Sequence, residues 1–375
     1  MSRASEQTPL RGSGNTSDHD HADHSGHGHS HTLGGSSSAA ACAASNSFTA
    51  KVERYFQIHE RGSTLGTEVR SGIVTFCTMA YILVVNAEIL HLAGMDFRNV
   101  LTATALTSAL ACLIVGGFGN LPFGLAPGMG LNSYFTYGVC LKLGLSWNIA
   151  LTCCFFMGIA FLALSVTGAC TAIQTYAPDC IKKGITVGLG IFQALIGFEM
   201  MRLIVPGTET LLETGDLTQP GLILSAVGLF IICLFLVLRL DAAMIAGIAA
   251  TTILSWVMGV VPAPEAVVEL PSVASTMFAL DFPGFFANYY HTIPISLIFL
   301  FVAVFDTAGV HFALGMQSGL LEDGHLEGST TAFTAASLST IAGSLLGSSP
   351  IIIHTESCAG IQVRFRMISV VYALL

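Results

Sequence analysis

The stretch between Phe97 and Asp179 contains only two charged residues, Arg98 and Lys142. An α-helix crosses the apolar part of a bilayer with about 20 mostly apolar residues, so this stretch is long enough for several crossings. Charged residues make up 10% of the chain, whereas a soluble domain carries about 25%. Too few polar side chains are present to cover a water-soluble protein of 375 residues. This excludes a soluble enzyme, a nucleic-acid-binding protein and a disordered regulator.

Apolar windows of spanning length follow one another from residue 72 onwards. Gly and Pro occur inside several of them, which membrane helices tolerate when neighbouring groups bond the freed backbone. The pattern predicts an all-α polytopic membrane protein with about ten spans, the last of which is short and begins near Ser349. The nine longer windows are 72–94, 99–118, 121–141, 148–171, 184–205, 221–238, 242–261, 288–312 and 330–347.

The distribution of Lys and Arg predicts a cytoplasmic N-terminus. Positively charged residues near membrane spans concentrate on the cytoplasmic side. With the N-terminus inside, nine such residues lie in the cytoplasm and three lie outside, and the reverse topology would invert this ratio. We expect the protein in the plasma membrane. The cytoplasmic set is Lys51, Arg54, Arg61, Arg70, Lys182, Lys183, Arg239, Arg364 and Arg366, and the outer set is Arg98, Lys142 and Arg202.

Two segments, the third and the tenth, break the helical pattern. The third, LPFGLAPGMGLNS at 121–133, is too rich in Pro and Gly for a regular helix. In the tenth, Pro350 and three following Ile residues favour an extended chain, and the Ala-Gly pair beyond Glu356 permits a tight helix start. Each segment is predicted to form a short strand followed by a half-helix. Broken spans at matching positions are typical of inverted-repeat transporters, and their separation predicts a seven-plus-seven repeat.

Ionisable residues inside the apolar windows are candidates for function, because a charge within a membrane is costly. Glu88 and Glu199 lie near the ends of their windows. For them, contact with lipid headgroups, or an ion pair between Glu199 and Arg202, is the simpler interpretation. Asp306 lies well inside the eighth span, and Glu356 lies at the junction of the tenth segment. These two acids are therefore the stronger candidates for a polar site within the membrane.

Residues 1–47 contain Ser, Gly, Ala, His and Asp and almost no large apolar residue, which predicts a disordered tail. An amphipathic cytoplasmic lead-in (48–71), an incomplete transmembrane transporter domain (72–361) and a divergent tail (362–375) are expected to follow. Imidazole groups bind zinc, nickel or copper, so the first tail is a weak candidate for metal binding, and low-complexity drift is the simpler interpretation. Its candidate ligands are His19, His21, His24, His27, His29 and His31.

Four short motifs, in order along the chain, resemble those of the azaguanine-like purine permeases, which belong to the wider group of nucleobase–cation symporters. The resemblance runs from near residue 56 to residue 361. The chain has Ala87, Ala303, Ile353 and His354 where that family commonly has Pro, an acid, Thr and Tyr. The motifs are TFCTMAYILVVN at 75–86, APGMGLN at 126–132, FDTAG at 305–309 and ESCAG at 356–360.

The resemblance implies proton-coupled uptake of guanine and hypoxanthine, with adenine left open. It also implies fourteen spans, divided into a core domain and a gate domain. A carboxylate such as Glu356 can accept the adjacent N–H donors on a purine edge, and the Asn132 amide can both donate and accept. Asp306 and Glu356 are expected to carry the coupling proton, with the alternative that Asp306 only ties the eighth span to a broken segment. Phe123 or Tyr134 could stack on the base, although packing against lipid or protein is the simpler interpretation for any single aromatic residue. The expected substrate-binding residues are Glu356, Asn132, Gly130, Asp306, Asn86 and Phe123.

The sequence contains no catalytic triad, phosphate-binding loop or nucleotide fingerprint. We therefore expect no enzymatic activity and no cofactor, with a proton gradient as the energy source. The expected partners are a purine nucleobase and the lipid bilayer, and a homodimer is left open. Nucleic acid is not expected as a partner, because 14 Lys and Arg residues stand against 23 Asp and Glu residues.

Three other interpretations are left open: an anion transporter of the same architecture, a divalent metal-ion transporter, and an inactive truncated form. Two acids within the membrane argue against an anion site. His354 and Glu356 would share one strand face, which offers a metal ion a single pair of ligands. Because about ten of the fourteen implied spans are counted, we expect an incomplete transporter that does not concentrate purines on its own.

Overall fold

A computed structural model of the chain describes residues 48–56, 58, 63–176, 178–207, 212–238, 243–261, 271–319, 321–322, 325–326 and 328–361. The two predicted tails, 1–47 and 362–375, lie outside the described residues. By its internal contacts the chain from Lys51 onwards forms one unit.

The described part of the chain is mainly helical. Its helices are α1 (Phe48–Tyr55), α2 (Leu65–Leu92), α3 (Phe97–Gly119), α4 (Met129–Ser133), a π-helix (Tyr134–Lys142), α5 (Trp147–Val166), α6 (Ala169–Tyr176), α7 (Asp179–Met200), α8 (Pro220–Val237), α9 (Ala243–Val257), α10 (Phe282–Ala287), α11 (Tyr289–Ser318), α12 (Ser329–Leu346), a 3-10 turn (Thr355–Ser357) and α13 (Cys358–Ile361). Its strands form three antiparallel pairs: β1 (Leu125–Pro127) with β6 (Ile351–Ile353), β2 (Ile204–Pro206) with β3 (Leu212–Thr214), and β4 (Leu321–Glu322) with β5 (His325–Leu326).

The helices confirm the predicted polytopic membrane fold. Every predicted window overlaps with a described helix, and in 121–141 the helical part begins only at Met129, after β1. Within the described residues, five helices are long and apolar enough to cross a membrane, namely α2, α3, α5, α8 and α11. Two other windows give helices with weaker spanning character: α7 includes Lys183 and Glu199, and α9 is 15 residues long.

Helix α12 is rich in Ser, Thr, Ala and Gly and packs against α3 and α5. Small residues allow helices in a membrane to approach closely. At Gly158 of α5, an added Cβ atom would lie 2.9 Å from Cγ1 of Ile341. The hydroxyl oxygens of Ser165 and Thr334 lie 2.8 Å apart and form a hydrogen bond across the same interface. The polar composition of α12 therefore reflects contact with protein rather than with lipid.

Local sequence sets both ends of α3. The Asp96 side chain caps the N-terminus by accepting a hydrogen bond from the backbone N–H of Asn99. The helix ends where Asn120 adopts a left-handed conformation with φ 49°, which Asn tolerates better than most residues. Pro122 then disfavours helical backbone in the residue before it. The third segment therefore starts as extended chain and does not continue α3.

Gly347, which ends α12, allows us to predict a large loss of stability. Its φ is +98°, and a Cβ atom there would collide with the side chain of Thr276. Gly347→Ala is expected to lower the free energy of unfolding by about 2–5 kcal/mol, from backbone strain and overpacking together. Gly144 is the matched control, because its φ is +70° and an added Cβ atom meets nothing within 4 Å. Thermal unfolding of the purified proteins measures both, and equal losses would contradict the role of Thr276.

Candidate functional site

The two broken segments pair with each other inside the protein. β1 and β6 run antiparallel, with Ala126 opposite Ile352, and every residue of both strands is buried. Each strand is followed directly by a short helical segment, α4 after β1 and the 3-10 turn after β6. This arrangement confirms the prediction of a strand and a half-helix in each segment, and because the strands are antiparallel the two helical segments leave the strand pair at opposite ends.

Side chains of neighbouring helices hydrogen bond the backbone of this strand pair. Irregular backbone at membrane depth is tolerated only where protein groups surround it or where it lines a cavity. The N–H of Leu125 donates to Sγ of Cys112 on α3 at 3.1 Å, and the N–H of Ile351 donates to Oγ1 of Thr340 on α12 at 2.9 Å. Helices α3 and α12 therefore hold the crossing in place.

Two long helices bring further polar groups to the crossing. Both α2 and α11 contact α4 and the 3-10 turn. Asn132 lies on α4 and Glu356 on the turn. Asp306 of α11 is close enough to Glu356 to interact with it electrostatically. Helix α11, which carries Asp306, thus contacts both elements that carry the other two polar residues singled out by the sequence, Asn132 and Glu356.

Glu356 is held by side chains at both of its oxygens, and its side chain is 11% exposed. The Tyr81 hydroxyl donates to Oε1 at 2.5 Å. Nδ1 of His354 lies 3.3 Å from Oε2, and the Thr355 hydroxyl donates to Oε2 at 3.3 Å. A carboxylate has about four acceptor positions. Oε1 can therefore accept a further bond, and the long contact of Thr355 can be exchanged for another donor.

Asn132 and Asp306 are buried and carry polar atoms that have no hydrogen-bond partner among the described residues. Asn132 is 0% exposed and Asp306 is 8% exposed. Within the described residues, neither the oxygen nor the nitrogen of the Asn132 amide has a hydrogen-bond partner, and the same holds for Oδ1 of Asp306. A buried group without a partner costs about 1–3 kcal/mol. Such groups are rare in proteins and call for a role other than stability.

Asn86, which the sequence also placed at the site, has a hydrogen-bond partner at each of its two amide atoms. Its amide nitrogen donates to the Thr104 hydroxyl at 2.6 Å, and its amide oxygen accepts from the Ser349 hydroxyl at 3.1 Å. Asn86 thereby ties α2 to α3 and to the residues that precede β6. In this conformation its amide stabilises the fold.

The aromatic candidates pack against protein. Phe123 is 0% exposed, and its ring meets His311 edge-on, with ring centroids 5.3 Å apart. Tyr134 is partly buried and meets Phe299 edge-on at 5.2 Å. Gly130 lies in the first turn of α4 and is partly exposed. Stacking of a base on Phe123 would therefore require the ring to move.

A cleft with a volume of about 640 Å3 lies between the ends of α2 and α7, and its lining residues do not include Asn132, Asp306 or Glu356. Its volume is within the usual range for small-molecule sites. Ser133, which directly follows Asn132, is one of its lining residues. Glu88 and Glu199, the two acids near the ends of their predicted windows, also line the cleft, together with Arg202. The backbone N–H of Arg202 donates to the Glu199 carbonyl at 2.9 Å.

Tyr81 and His354 are partners of Glu356 that the sequence did not assign. Tyr81 lies within the first-span motif, but it is 275 positions from Glu356, and no spacing rule connects the two. From the sequence, His354 is a departure from the family motif and half of a weak metal-binding pair, and neither observation predicts its contact with the Glu356 carboxylate. Within the residues that the structure describes, no group of three or more His, Cys, Asp or Glu side chains is arranged to hold a metal ion. The His-rich tract of residues 19–31 lies outside those residues.

The fold is that of a multi-pass membrane transporter. Two broken segments pair with each other among membrane helices, and a buried carboxylate and a buried amide lie in or against these segments. Residues 66–374 match the Permease family, Xan_ur_permease. The chain belongs to this family of xanthine and uracil permeases, and it is a transporter rather than an enzyme. The match confirms the resemblance carried by the four motifs.

Three named permeases are similar in sequence to most of this chain. The Methanocaldococcus jannaschii protein MJ0326 is 41% identical over 86% of this chain and 75% of its own length. The adenine permease AdeP of Escherichia coli is 34% identical over 86% of this chain and 73% of its own length. The guanine/hypoxanthine permease PbuG of Bacillus subtilis is 34% identical over 84% of this chain and 74% of its own length.

The fold is also that of a solved transporter domain. The transmembrane domain of the cyanobacterium bicarbonate transporter BicA superposes with a TM-score of 0.57, over 83% of this chain and 80% of that domain. Sequence identity is 12%, so the likeness concerns the fold alone. It supports the transporter architecture predicted from the two broken segments.

Proposed function

We propose that the chain transports purine nucleobases, with guanine and hypoxanthine as substrates and adenine left open, and that it does so by proton symport. The observation that carries the proposal is the largely buried Glu356 carboxylate, held by Tyr81 and His354 in one broken segment, while the other broken segment carries a buried Asn132 amide without partners among the described residues. The names of AdeP and PbuG, which refer to adenine and to guanine and hypoxanthine, support the same substrate class.

The chemistry of the site suits a purine edge. Guanine and hypoxanthine present N–H donors, and a carboxylate accepts them in short charge-assisted bonds. Oε1 of Glu356 has capacity for one such bond beyond that from Tyr81. The Asn132 amide supplies one donor group and one acceptor, which match the carbonyl and ring nitrogens of the base. An anion would meet two carboxyl groups at this site and would be repelled.

Coupling to protons would use the same acids. Asp306 lies beside Glu356, and one of its oxygens has no partner within the described residues. A carboxyl group held away from water favours its neutral form, so Asp306 and Glu356 are the residues proposed to take up the transported proton. We also propose a plasma-membrane location with a cytoplasmic N-terminus, on the basis of the Lys and Arg distribution.

Binding and uptake of radiolabelled hypoxanthine, set against zinc, test the proposed function. We expect the purified chain to bind hypoxanthine, and we expect deletion of residues 1–47 to leave that affinity unchanged within a factor of about two, because the composition of this tail predicts no fixed geometry at the site. Zinc binding should fall on deletion if the His tract binds metal. Absence of hypoxanthine binding would contradict the proposal, and hypoxanthine binding without cellular accumulation would favour the inactive-form interpretation.

A further inference from the structure

His354 lies between two hydrogen-bond acceptors. Its ring is 2% exposed, with Nε2 3.0 Å from the carbonyl oxygen of Pro127 and Nδ1 3.3 Å from Oε2 of Glu356. A backbone carbonyl can only accept, so Nε2 must carry a hydrogen. An ionised carboxylate can also only accept. A neutral imidazole with its hydrogen on Nε2 would therefore turn the bare lone pair of Nδ1 toward a negatively charged oxygen.

A hydrogen between Nδ1 and Oε2 removes this conflict. It belongs either to an imidazolium beside a carboxylate or to a carboxylic acid beside a neutral imidazole, and in both cases the pair holds one proton and has no net charge. We infer that His354 and Glu356 share one proton and that His354 is a positioning residue for the Glu356 carboxylate. This inference rests on the proposed purine site, since Glu356 is its principal acceptor.

The surroundings favour a neutral pair. The titratable groups that face it from the described elements are Tyr81 on α2, Asp306 on α11 and Cys358 on α13. Tyr81 donates its hydrogen to Oε1 of Glu356. Asp306 is an acid, so a second uncompensated negative charge on Glu356 would be repelled within the membrane. A proton on the pair lowers this repulsion.

The shared proton has a consequence for substrate binding. While the pair holds it, Tyr81 and His354 fix the two oxygens of Glu356 from two directions, and the carboxylate keeps one orientation. When rising pH removes the proton, Nδ1 repels Oε2 and the carboxylate loses one of its two anchors. Purine affinity should therefore fall as the pair is deprotonated at higher pH, by about tenfold to a hundredfold for the loss of one charge-assisted hydrogen bond.

Two substitutions distinguish loss of a hydrogen bond to Glu356 from loss of the proton that the pair shares. His354→Asn places an amide N–H near the position of Nδ1, so it can still donate to Glu356, but it cannot titrate. Tyr81→Phe is the matched control, because it removes the other hydrogen bond to Glu356 and leaves His354 in place. Hypoxanthine binding to the purified full chain is measured as a function of pH for the wild type and both variants. Ionisation of hypoxanthine itself affects all three proteins alike.

We expect the wild type to lose affinity as pH rises, Tyr81→Phe to bind about tenfold more weakly at every pH with the same loss, and His354→Asn to show only the smaller loss that ionisation of hypoxanthine itself causes. Equal pH profiles for the wild type and His354→Asn would overturn the inference. His354→Gln, whose amide can reach the Pro127 carbonyl, serves if the Asn variant does not fold, and the same outcomes apply to it.

A substrate-free measurement distinguishes failure of this inference from failure of the proposed function. Infrared difference spectra between low and high pH report carboxyl and imidazole protonation directly. We expect a coupled histidine and carboxyl change in the wild type and in Tyr81→Phe, and its loss in His354→Asn. If hypoxanthine does not bind but this signal is present, the proposed function fails and the shared proton stands. If hypoxanthine binds and the signal is absent, the inference fails and the function stands.

Discussion

Replacing Glu356 by Gln is expected to lower the affinity for hypoxanthine by a factor of roughly one hundred to ten thousand. The carboxylate accepts from Tyr81 and His354 and, in the proposed complex, from the N–H donors of the base. Gln replaces one accepting oxygen by a donating NH2 group, which would face hydrogens on the protein or on the base. Two charge-assisted bonds of about 1.5–3 kcal/mol each account for a loss of this size.

Equilibrium binding of radiolabelled hypoxanthine to purified protein measures this loss. The control is Glu213→Gln, the same chemical change at an exposed acid in β3. We expect the control to bind like the wild type. Thermal unfolding of both variants shows whether the fold is retained. An affinity for Glu356→Gln within about threefold of the wild type would show that the carboxylate is not the acceptor, since even one lost hydrogen bond to a charged group exceeds that factor.

Most of the fold was predictable because the membrane imposes simple rules on sequence. A spanning helix needs a long apolar window, and the described helices follow those windows. The interruption at 121–133 was predictable for the same reason, since its Pro and Gly residues oppose a helix. A strand in each broken segment was predicted as well, whereas the antiparallel pairing of β1 with β6 was not. The close packing of α12 was not predicted, because it depends on which neighbour each small residue meets.

The site was predictable only where polarity stood out against an apolar background. Asp306 and Glu356 were found because acids inside a membrane are costly. Asn132 was found because it lies in a broken segment. The bond from Tyr81 to Glu356 joins residues 275 positions apart, and a tyrosine inside an apolar span gives no sign of where its hydroxyl points. Only the packed structure reveals that contact.

Asn86 and Asn132 give the same signal in the sequence but bond differently in the structure. Asn86 and Asn132 both lie in quoted motifs, and both are 0% exposed. The amide of Asn86 bonds to the hydroxyls of Thr104 and Ser349, whereas the amide of Asn132 has no partner within the described residues. The sequence gives both residues the same signal. Their different bonding separates a residue that stabilises the fold from one that is available to a ligand.

This difference predicts opposite effects of one substitution at the two sites. Asn132→Leu removes two unsatisfied polar groups and keeps the branching at Cγ, so we expect the thermal unfolding temperature to stay equal or rise. Hypoxanthine affinity is expected to fall roughly a hundredfold to a thousandfold, because polar atoms of the bound base lose both partners. Asn86→Leu should instead lower the free energy of unfolding by about 1–3 kcal/mol, since hydroxyl groups of its neighbours lose theirs. Thermal unfolding and hypoxanthine binding, measured on the same two purified variants, test both expected effects. A destabilised Asn132→Leu that binds normally would mean that the amide serves the fold and that the purine is bound elsewhere.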